Sequence, residues 1–231
     1  MIIDAVIPAL NEETTVGGVV TALRASANID QVVVVDNGSS DRTAEVAEAA
    51  GAKVISCPVR GLGLAVKAGL AQARTELVLR TDADICNWSI RWVRLLAEAS
   101  TGGLTRLIFD SPYDEFPVTR LVVEPLIRLA GFREIPRLPI SGTYLIPMNA
   151  VDTNELADDW AFDISLLCAA MTSGLSLVEV EGGPLHDRPR DLNHYVPMAS
   201  QIVKYFIDTY WDRKISHDAI GTRDYDPFRP R

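Results

Sequence analysis

Four valines in a row, Val32 to Val35, following Gln31, constrain most strongly what this chain can fold into. A strand with one face in water alternates apolar and polar residues. An unbroken β-branched run instead reads as a strand covered on both faces, as in a parallel sheet between helical layers. The run stops at Asp36-Asn37-Gly38-Ser39-Ser40, residue types that start turns. Ser40 or Asp41 is then placed to cap a helix rich in Ala, Glu and Val, which Gly51 ends.

The same cycle of strand, turn and helix frames this run on both sides. Ile2 to Ile7 reads as a strand broken by Pro8-Ala9-Leu10-Asn11, and Val16, Val19, Val20 and Leu23 then recur at helical spacing. Ala52 to Ser56 reads as a strand, Leu64 to Ala73 as a helix, and Glu76 to Arg80 as a strand that runs into Thr81-Asp82-Ala83-Asp84. Alternation of this kind predicts an α/β fold with a mainly parallel central sheet flanked by helices, and ligands at the carboxyl ends of the strands. Past Thr101-Gly102-Gly103 the rhythm loosens. Strands are expected over Leu104–Phe109, Ile140–Ile146 and Leu175–Val180, and helices over Val118–Ala130, Trp160–Thr172 and Tyr195–Trp211. At 231 residues the chain has room for one sizeable core with a C-terminal extension, so a single domain over 1–231 is expected.

Asn11-Glu12, the Asp36 cluster and Asp82-Ala83-Asp84 each follow an apolar strand, so a parallel sheet brings them to one rim. Asp82-x-Asp84 suits a hard dication, which binds through one or two carboxylates plus substrate phosphates. His186, in the polar loop Pro184-Leu185-His186-Asp187-Arg188, offers a nitrogen ligand of the kind Mn²⁺ accepts. Gly61-Leu62-Gly63 lets backbone approach a ligand, and Lys67 falls on the helix that follows, a usual place for phosphates. A dinucleotide fingerprint and a Walker-type Gly-Lys-Ser/Thr are both missing, which disfavours a nicotinamide oxidoreductase and a P-loop kinase or ATPase.

The formal charge of -9, with no basic run, argues against a nucleic-acid partner. Asp4 interrupts the first apolar stretch and no cationic segment precedes it, so no signal peptide is read. No apolar stretch approaches the roughly 20 residues of a membrane-spanning helix. A cytoplasmic protein without stable membrane insertion is expected. Cys57, Cys86 and Cys168 are too far apart for a zinc knuckle and are expected as buried free thiols.

Three segments together carry a resemblance. Val6-Ile7-Pro8-Ala9-Leu10-Asn11-Glu12-Glu13, Val33-Val34-Val35-Asp36-Asn37-Gly38-Ser39-Ser40-Asp41-Arg42-Thr43 and Leu79-Arg80-Thr81-Asp82-Ala83-Asp84 resemble, in this order, the successive signatures of family-2-like glycosyltransferases of the GT-A fold. More weakly, Val118-Thr119-Arg120-Leu121, Pro139-Ile140-Ser141-Gly142-Thr143-Tyr144, Phe162-Asp163-Ile164-Ser165 and the His186 loop are similar to the acceptor half of glucosyl-3-phosphoglycerate synthases. The resemblance implies a Rossmann-like GT-A domain with a nucleotide-sugar donor half over 1–100, and an acceptor half with a C-terminal helix and tail over 101–231. It implies a DXD motif at Asp82-Ala83-Asp84, with Asp84 and His186 as ligands of Mg²⁺ or Mn²⁺. Pro8, Leu10, Glu12, Asp36, Gly38, Gly61, Gly63, Lys67, Asp82, Ala83 and Arg188 are expected at the donor, and Thr119, Gly142, Thr143, Tyr144 and Asp163 at the acceptor. Asp84 and Asp163 are the catalytic candidates, with Asp163 either deprotonating the acceptor hydroxyl or orienting it.

The activity implied is hexose transfer, with retention, from a UDP-sugar or a GDP-sugar to a small soluble hydroxylated acceptor, in a homodimer. A polyprenyl-phosphate sugar transferase, a sugar-phosphate nucleotidyltransferase and a non-catalytic nucleotide-sugar-binding protein are the rivals. The chain departs from the synthase pattern in two places. Phe116-Pro117 stands where Gly-Arg would hold a phosphorylated acceptor, and Gly61-Leu62-Gly63 where Gly-Lys-Gly would supply a cation.

Overall fold

The computed structural model describes residues 1–110, 117–187 and 191–211. Seven strands form one sheet: β1 (Ile3–Ala9), β2 (Ile29–Asp36), β3 (Lys53–Ser56), β4 (Leu77–Arg80), β5 (Leu104–Asp110), β6 (Tyr144–Pro147) and β7 (Leu177–Pro184). Their order is β3-β2-β1-β4-β6-β5-β7. All neighbours are parallel except β6, which runs antiparallel to both β4 and β5. The mainly parallel α/β architecture is therefore present as expected.

The valine run behaves as its sequence demands. Val32 and Val34 join a core with helix α1 (Val16–Arg24), Ala47 of helix α2 (Thr43–Ala49), and Trp92, Val93 and Leu96 of helix α4 (Ile90–Ala99). Val33 and Val35 point the other way, against Ala65 and Val66 of helix α3 (Leu62–Leu70) and toward Phe162 and Leu166 of helix α6 (Phe162–Ser173). Period-two alternation thus feeds two apolar layers from one uninterrupted run. Helix α3 sits so close to the sheet that a Cβ on Gly69 would meet Val6 and Val35. A third core joins α6 to helix α5 (Glu124–Leu129) and to helix α7 (Leu192–Phe206), with Phe206 and Ile202 fully buried.

Several boundaries differ from the sequence reading for local reasons. Helix α4 was not anticipated, yet Ser89 caps it by accepting from Arg91 N at 3.3 Å. The segment expected as one helix over 118–130 begins as a π-type turn, Thr119–Val123, before regular α5. Strand β6 starts only at Tyr144 because Ser141 and Gly142 are drawn into side-chain and carbonyl bonds beneath the site. Helix α6 ends, as expected, at Gly174 with φ 72°. Only Cys168 is buried. Cys57 is half-buried and Cys86 exposed, because both lie in loops at the carboxyl edge, which corrects the expectation of three buried thiols.

Candidate functional site

The carboxyl ends of β1, β2 and β4 are neighbours, so the Asn11-Glu12, Asp36 and Asp82-Asp84 loops share one rim. The first two loops are sewn together. Asn11, in the left-handed region at φ 58°, accepts from Ser40 N at 2.8 Å through Oδ1, and its own N–H donates to Ser39 Oγ at 3.0 Å. Glu12 N donates to Thr43 Oγ1 at 2.7 Å. Asp36 Oδ1 accepts from Ser39 N at 3.1 Å, with Gly38 at φ 83° completing the turn. Asn37 ties the next loop in by donating to the carbonyls of Cys57 and Val59, and its Oδ1 accepts from Gly61 N. Left-handed backbone held by side-chain bonds gives a rigid rim.

Below the Asp82 loop lies a feature the sequence reading missed. Arg80, at the end of β4, is 1% exposed. Its Nη1 lies 2.8 Å from Asp82 Oδ1 and donates to Gly142 O at 2.6 Å, while Nη2 lies 3.6 Å from Asp163 Oδ2. Its guanidinium stands over the Tyr144 ring at 5.7 Å, and the Tyr144 hydroxyl donates to Asp163 Oδ1. The buried cation is compensated on two sides, which a charge in this position requires. Its pKa is raised above the ordinary arginine value: Asp163 and Asp82 outweigh desolvation, which acts the other way. Burial and the Asp163 carboxylate likewise push the Tyr144 hydroxyl well above its usual range, so it stays a donor. A Cβ on Gly142 would run into Asp82 and Arg80, so only glycine fits there.

Asp82 carries the opposing field. Its carboxyl is pushed up to about 7 by desolvation and by Asp84, Asp163 and Asp187, against the pull of Arg80. The side chain keeps 39% of its accessibility, so solvent softens that rise. The loop after β7 is zipped onto this one: Cys86 N donates to His186 O at 2.7 Å, Asn87 Oδ1 accepts from His186 N at 2.9 Å, and Ile85 bridges Asp187. The backbone of His186 is thereby fixed beside the Asp84 segment, with its ring exposed. Among the described residues no three His, Cys, Asp or Glu side chains come close enough to hold a metal together. The half-buried carboxylates of Asp82 and Asp84 are of the type that suits a dication which takes one or two protein carboxylates and completes its shell with phosphate oxygen and water.

A cavity of about 130 Å³ opens beside Asp82. Thr119, Gly142 and Thr143 are among the residues that line it, together with Asp82 and Asp187. Asp36, Asp84 and His186 are not among its lining residues. The expected acceptor residues Tyr144 and Asp163 are not lining residues either, since Tyr144 is buried and Asp163 is bound to it and to Arg80.

On the donor side Leu10, Asp36 and Gly38 keep accessible surface, Asp82 and Asp84 are half-buried, and Ala83 packs into the core. Pro8 is buried within β1 opposite Val35, and Glu12 is 6% exposed, with Oε2 accepting from Thr15 Oγ1. Three expectations are corrected. Side chains at Gly61 and Gly63 would strike the backbone of Ala157 and Asp158, and the N–H groups of Gly63 and Leu64 donate to Asp159 O and Asp158 O. The close approach is to protein. Lys67 Nζ is likewise taken up by Leu156 O at 2.6 Å and Asp158 Oδ1 at 2.7 Å. Arg188 lies outside the described residues.

With this geometry in view, comparison with known proteins is decisive. The family model described as Glycosyl transferase family 2 matches residues 4–152. The chain belongs to that family. Its enzyme class is therefore that of the glycosyltransferases. A glucosyl-3-phosphoglycerate synthase of Mycolicibacterium smegmatis is 28% identical over 99% of this chain and 84% of that protein. The same-named protein of Mycolicibacterium paratuberculosis is 29% identical over 87% and 70%. Among solved structures, glucosyl-3-phosphoglycerate synthase from Mycobacterium tuberculosis in complex with Mn²⁺, UDP and phosphoglyceric acid superposes with a TM-score of 0.80. It is 28% identical, over 90% of this chain and 78% of that one. The same enzyme has been solved with Mn²⁺, UDP-glucose and phosphoglyceric acid, with a TM-score of 0.79 at 27% identity. The GT-A Rossmann-like fold of this glycosyltransferase is thus shared with those enzymes. Among its described residues no helix is long and apolar enough to cross a membrane.

Proposed function

We propose that this glycosyltransferase moves glucose from UDP-glucose, with Mn²⁺ or Mg²⁺, onto a small hydroxylated acceptor, with retention, as a cytoplasmic homodimer. The observation that carries the reading is the strand-end pair Asp82 and Asp84, anchored from beneath by buried Arg80 and flanked by the loop of His186. The relatives solved with Mn²⁺ and UDP-glucose support the donor and the metal. Asp84 and His186 would hold the dication, Asp82 the ribose and diphosphate side, and Leu10, Asp36 and Gly38 the nucleoside. The bound ion supplies Lewis-acid neutralisation of the charge that grows on the diphosphate.

Asp163 is a positioning residue in this scheme. Both its oxygens are engaged, one by Tyr144 and one by Arg80, which suits fixing an electrostatic scaffold better than taking up a proton. In the retaining reaction the bond from the anomeric carbon to the diphosphate oxygen breaks and the acceptor oxygen bonds on the same face. The acceptor proton passes to the departing diphosphate. Arg80 holds Asp82 and the Gly142 carbonyl in place while this happens, so the site is preorganised before donor arrives.

UDP release from UDP-glucose, followed with Mn²⁺ and with EDTA, tests the proposal. Metal-dependent turnover is expected. Saturable UDP-glucose binding with no turnover, even with acceptors supplied, would make the chain a binding protein.

A further inference from the structure

Lys67 holds protein where the sequence predicts a phosphate, and what it holds leads to Asp163. Between β6 and α6 the backbone carries one short 3₁₀ turn, Thr153–Glu155, so its carbonyls need partners from elsewhere. Lys67 Nζ, reaching out from α3, donates to Asn154 O at 3.3 Å, Leu156 O at 2.6 Å and Asp158 Oδ1 at 2.7 Å. These contacts match the three N–H donors of an ammonium. The Asp158 side chain keeps 64% of its accessibility, so solvent weakens that ion pair and the hold falls mainly on the two carbonyls. The start of α3 completes the grip: Leu64 N donates to Asp158 O at 2.9 Å and Gly63 N to Asp159 O at 3.2 Å. The Asp159 carbonyl also accepts from Phe162 N at 3.1 Å, and Asp159 Oδ1 accepts from Ala161 N at 2.9 Å, which makes the turn from which α6 springs. Ser165 Oγ, in α6, accepts from Ala157 N at 3.0 Å and closes the strap from the other side.

Asp163 lies in the first turn of α6, so its direction is set by where that helix begins. Each residue turns a helix by about 100°. A small shift of the strap therefore moves both Asp163 oxygens relative to Tyr144 and Arg80. The geometry points to Lys67 as a positioning residue for the transfer: through segment 154–161 it aims Asp163 at Tyr144 and at the arginine that holds Asp82. This rests on the role proposed above for that cluster. The strap also reaches the donor side. Gly61 lies against Asp158 O, and its N–H is held by Asn37 Oδ1, next to Asp36. One segment is thus tied to the nucleoside loop at one end and to the Asp163 carboxylate at the other.

The test compares Lys67→Met, Ser165→Ala and the double variant in the UDP-release assay with Mn²⁺. UDP-glucose affinity is measured by calorimetry, and amide hydrogen exchange is followed over 157–166. Lys67→Met is expected to lower kcat at least ~10-fold and Ser165→Ala at least ~3-fold, with UDP-glucose affinity within ~2-fold of the parent, because aim is lost and donor binding is kept. Exchange over 157–166 is expected to rise in both variants while that of β1 stays unchanged. The double variant should lose less than the product of the two single losses, because both act on one strap. A weakened UDP-glucose affinity with kcat kept would make Lys67 a donor ligand and overturn the inference. So would an unchanged kcat in Lys67→Met beside raised exchange, losses that multiply, or unchanged exchange over 157–166. A parent chain that binds UDP-glucose without turning it over would instead remove the reading of the site underneath, and the exchange measurement would still decide whether Lys67 holds the strap.

Discussion

At the scale of single residues, Arg80 joins the two halves of the site. Replacing it with Met leaves Asp82 and Asp163 without their shared counter-ion in a buried setting, a change expected to cost about 3–5 kcal/mol of stability in urea unfolding. Arg80→Lys keeps a charge but loses the fork that reaches both carboxylates, so its stability should fall between the two. Gly142→Ala drives a methyl group into Asp82 and Arg80 and is expected to lower kcat more than ~10-fold in the UDP-release assay, with a smaller effect on folding. The carboxylates at 82 and 84 were legible in the sequence because a short polar cluster ended an apolar strand, whereas Asp163, in the first turn of α6, stood out only through the resemblance of its segment. Arg80 was not, since an arginine closing a strand reads as its solvated end. Its burial depends on Gly142, sixty-two residues away, and on Asp163, which no local pattern connects to it.

At the scale of elements, loops fastened to one another position the rim. The Asn37 amide, bonded to Cys57, Val59 and Gly61, is the clasp between the loops after β2 and β3. Gly61, Gly63 and Lys67 show why glycine and lysine near a helix start were misleading: the same smallness and charge that welcome a phosphate also let segment 157–159 dock. Sequence could reveal that something approaches closely there, and only the fold could reveal that it is the chain itself. Thiol chemistry checks the layering. Burial pushes the Cys168 thiol up to about 11, so at pH 8 it is almost wholly the unreactive thiol. Iodoacetamide at that pH is expected to label exposed Cys86 quickly, Cys57 more slowly, and Cys168 only after denaturant is added.

At the scale of the whole molecule, seven strands and three apolar cores carry one open rim, and the unbroken valine run already implied the covered sheet that makes such a rim possible. The antiparallel insertion of β6 between β4 and β5 was not readable, because pairing order leaves no trace in local periodicity. That insertion brings the Ser141-Gly142-Thr143 loop under Asp82 and so builds the cavity. The central claim is that Asp84, with the His186 loop, holds a dication on which a nucleoside diphosphate closes. Thermal unfolding of the parent chain and of Asp84→Asn, with UDP-glucose in excess and with or without Mn²⁺, tests it most directly. Ligand at about 100 times its Kd stabilises by about 2.7 kcal/mol, a rise of roughly 5–11 °C in a domain of this size. The account predicts that rise for the parent chain only when Mn²⁺ is present, and a loss of most of it in Asp84→Asn while the ligand-free Tm stays unchanged. An equal rise without metal, or the full rise in Asp84→Asn, would contradict it.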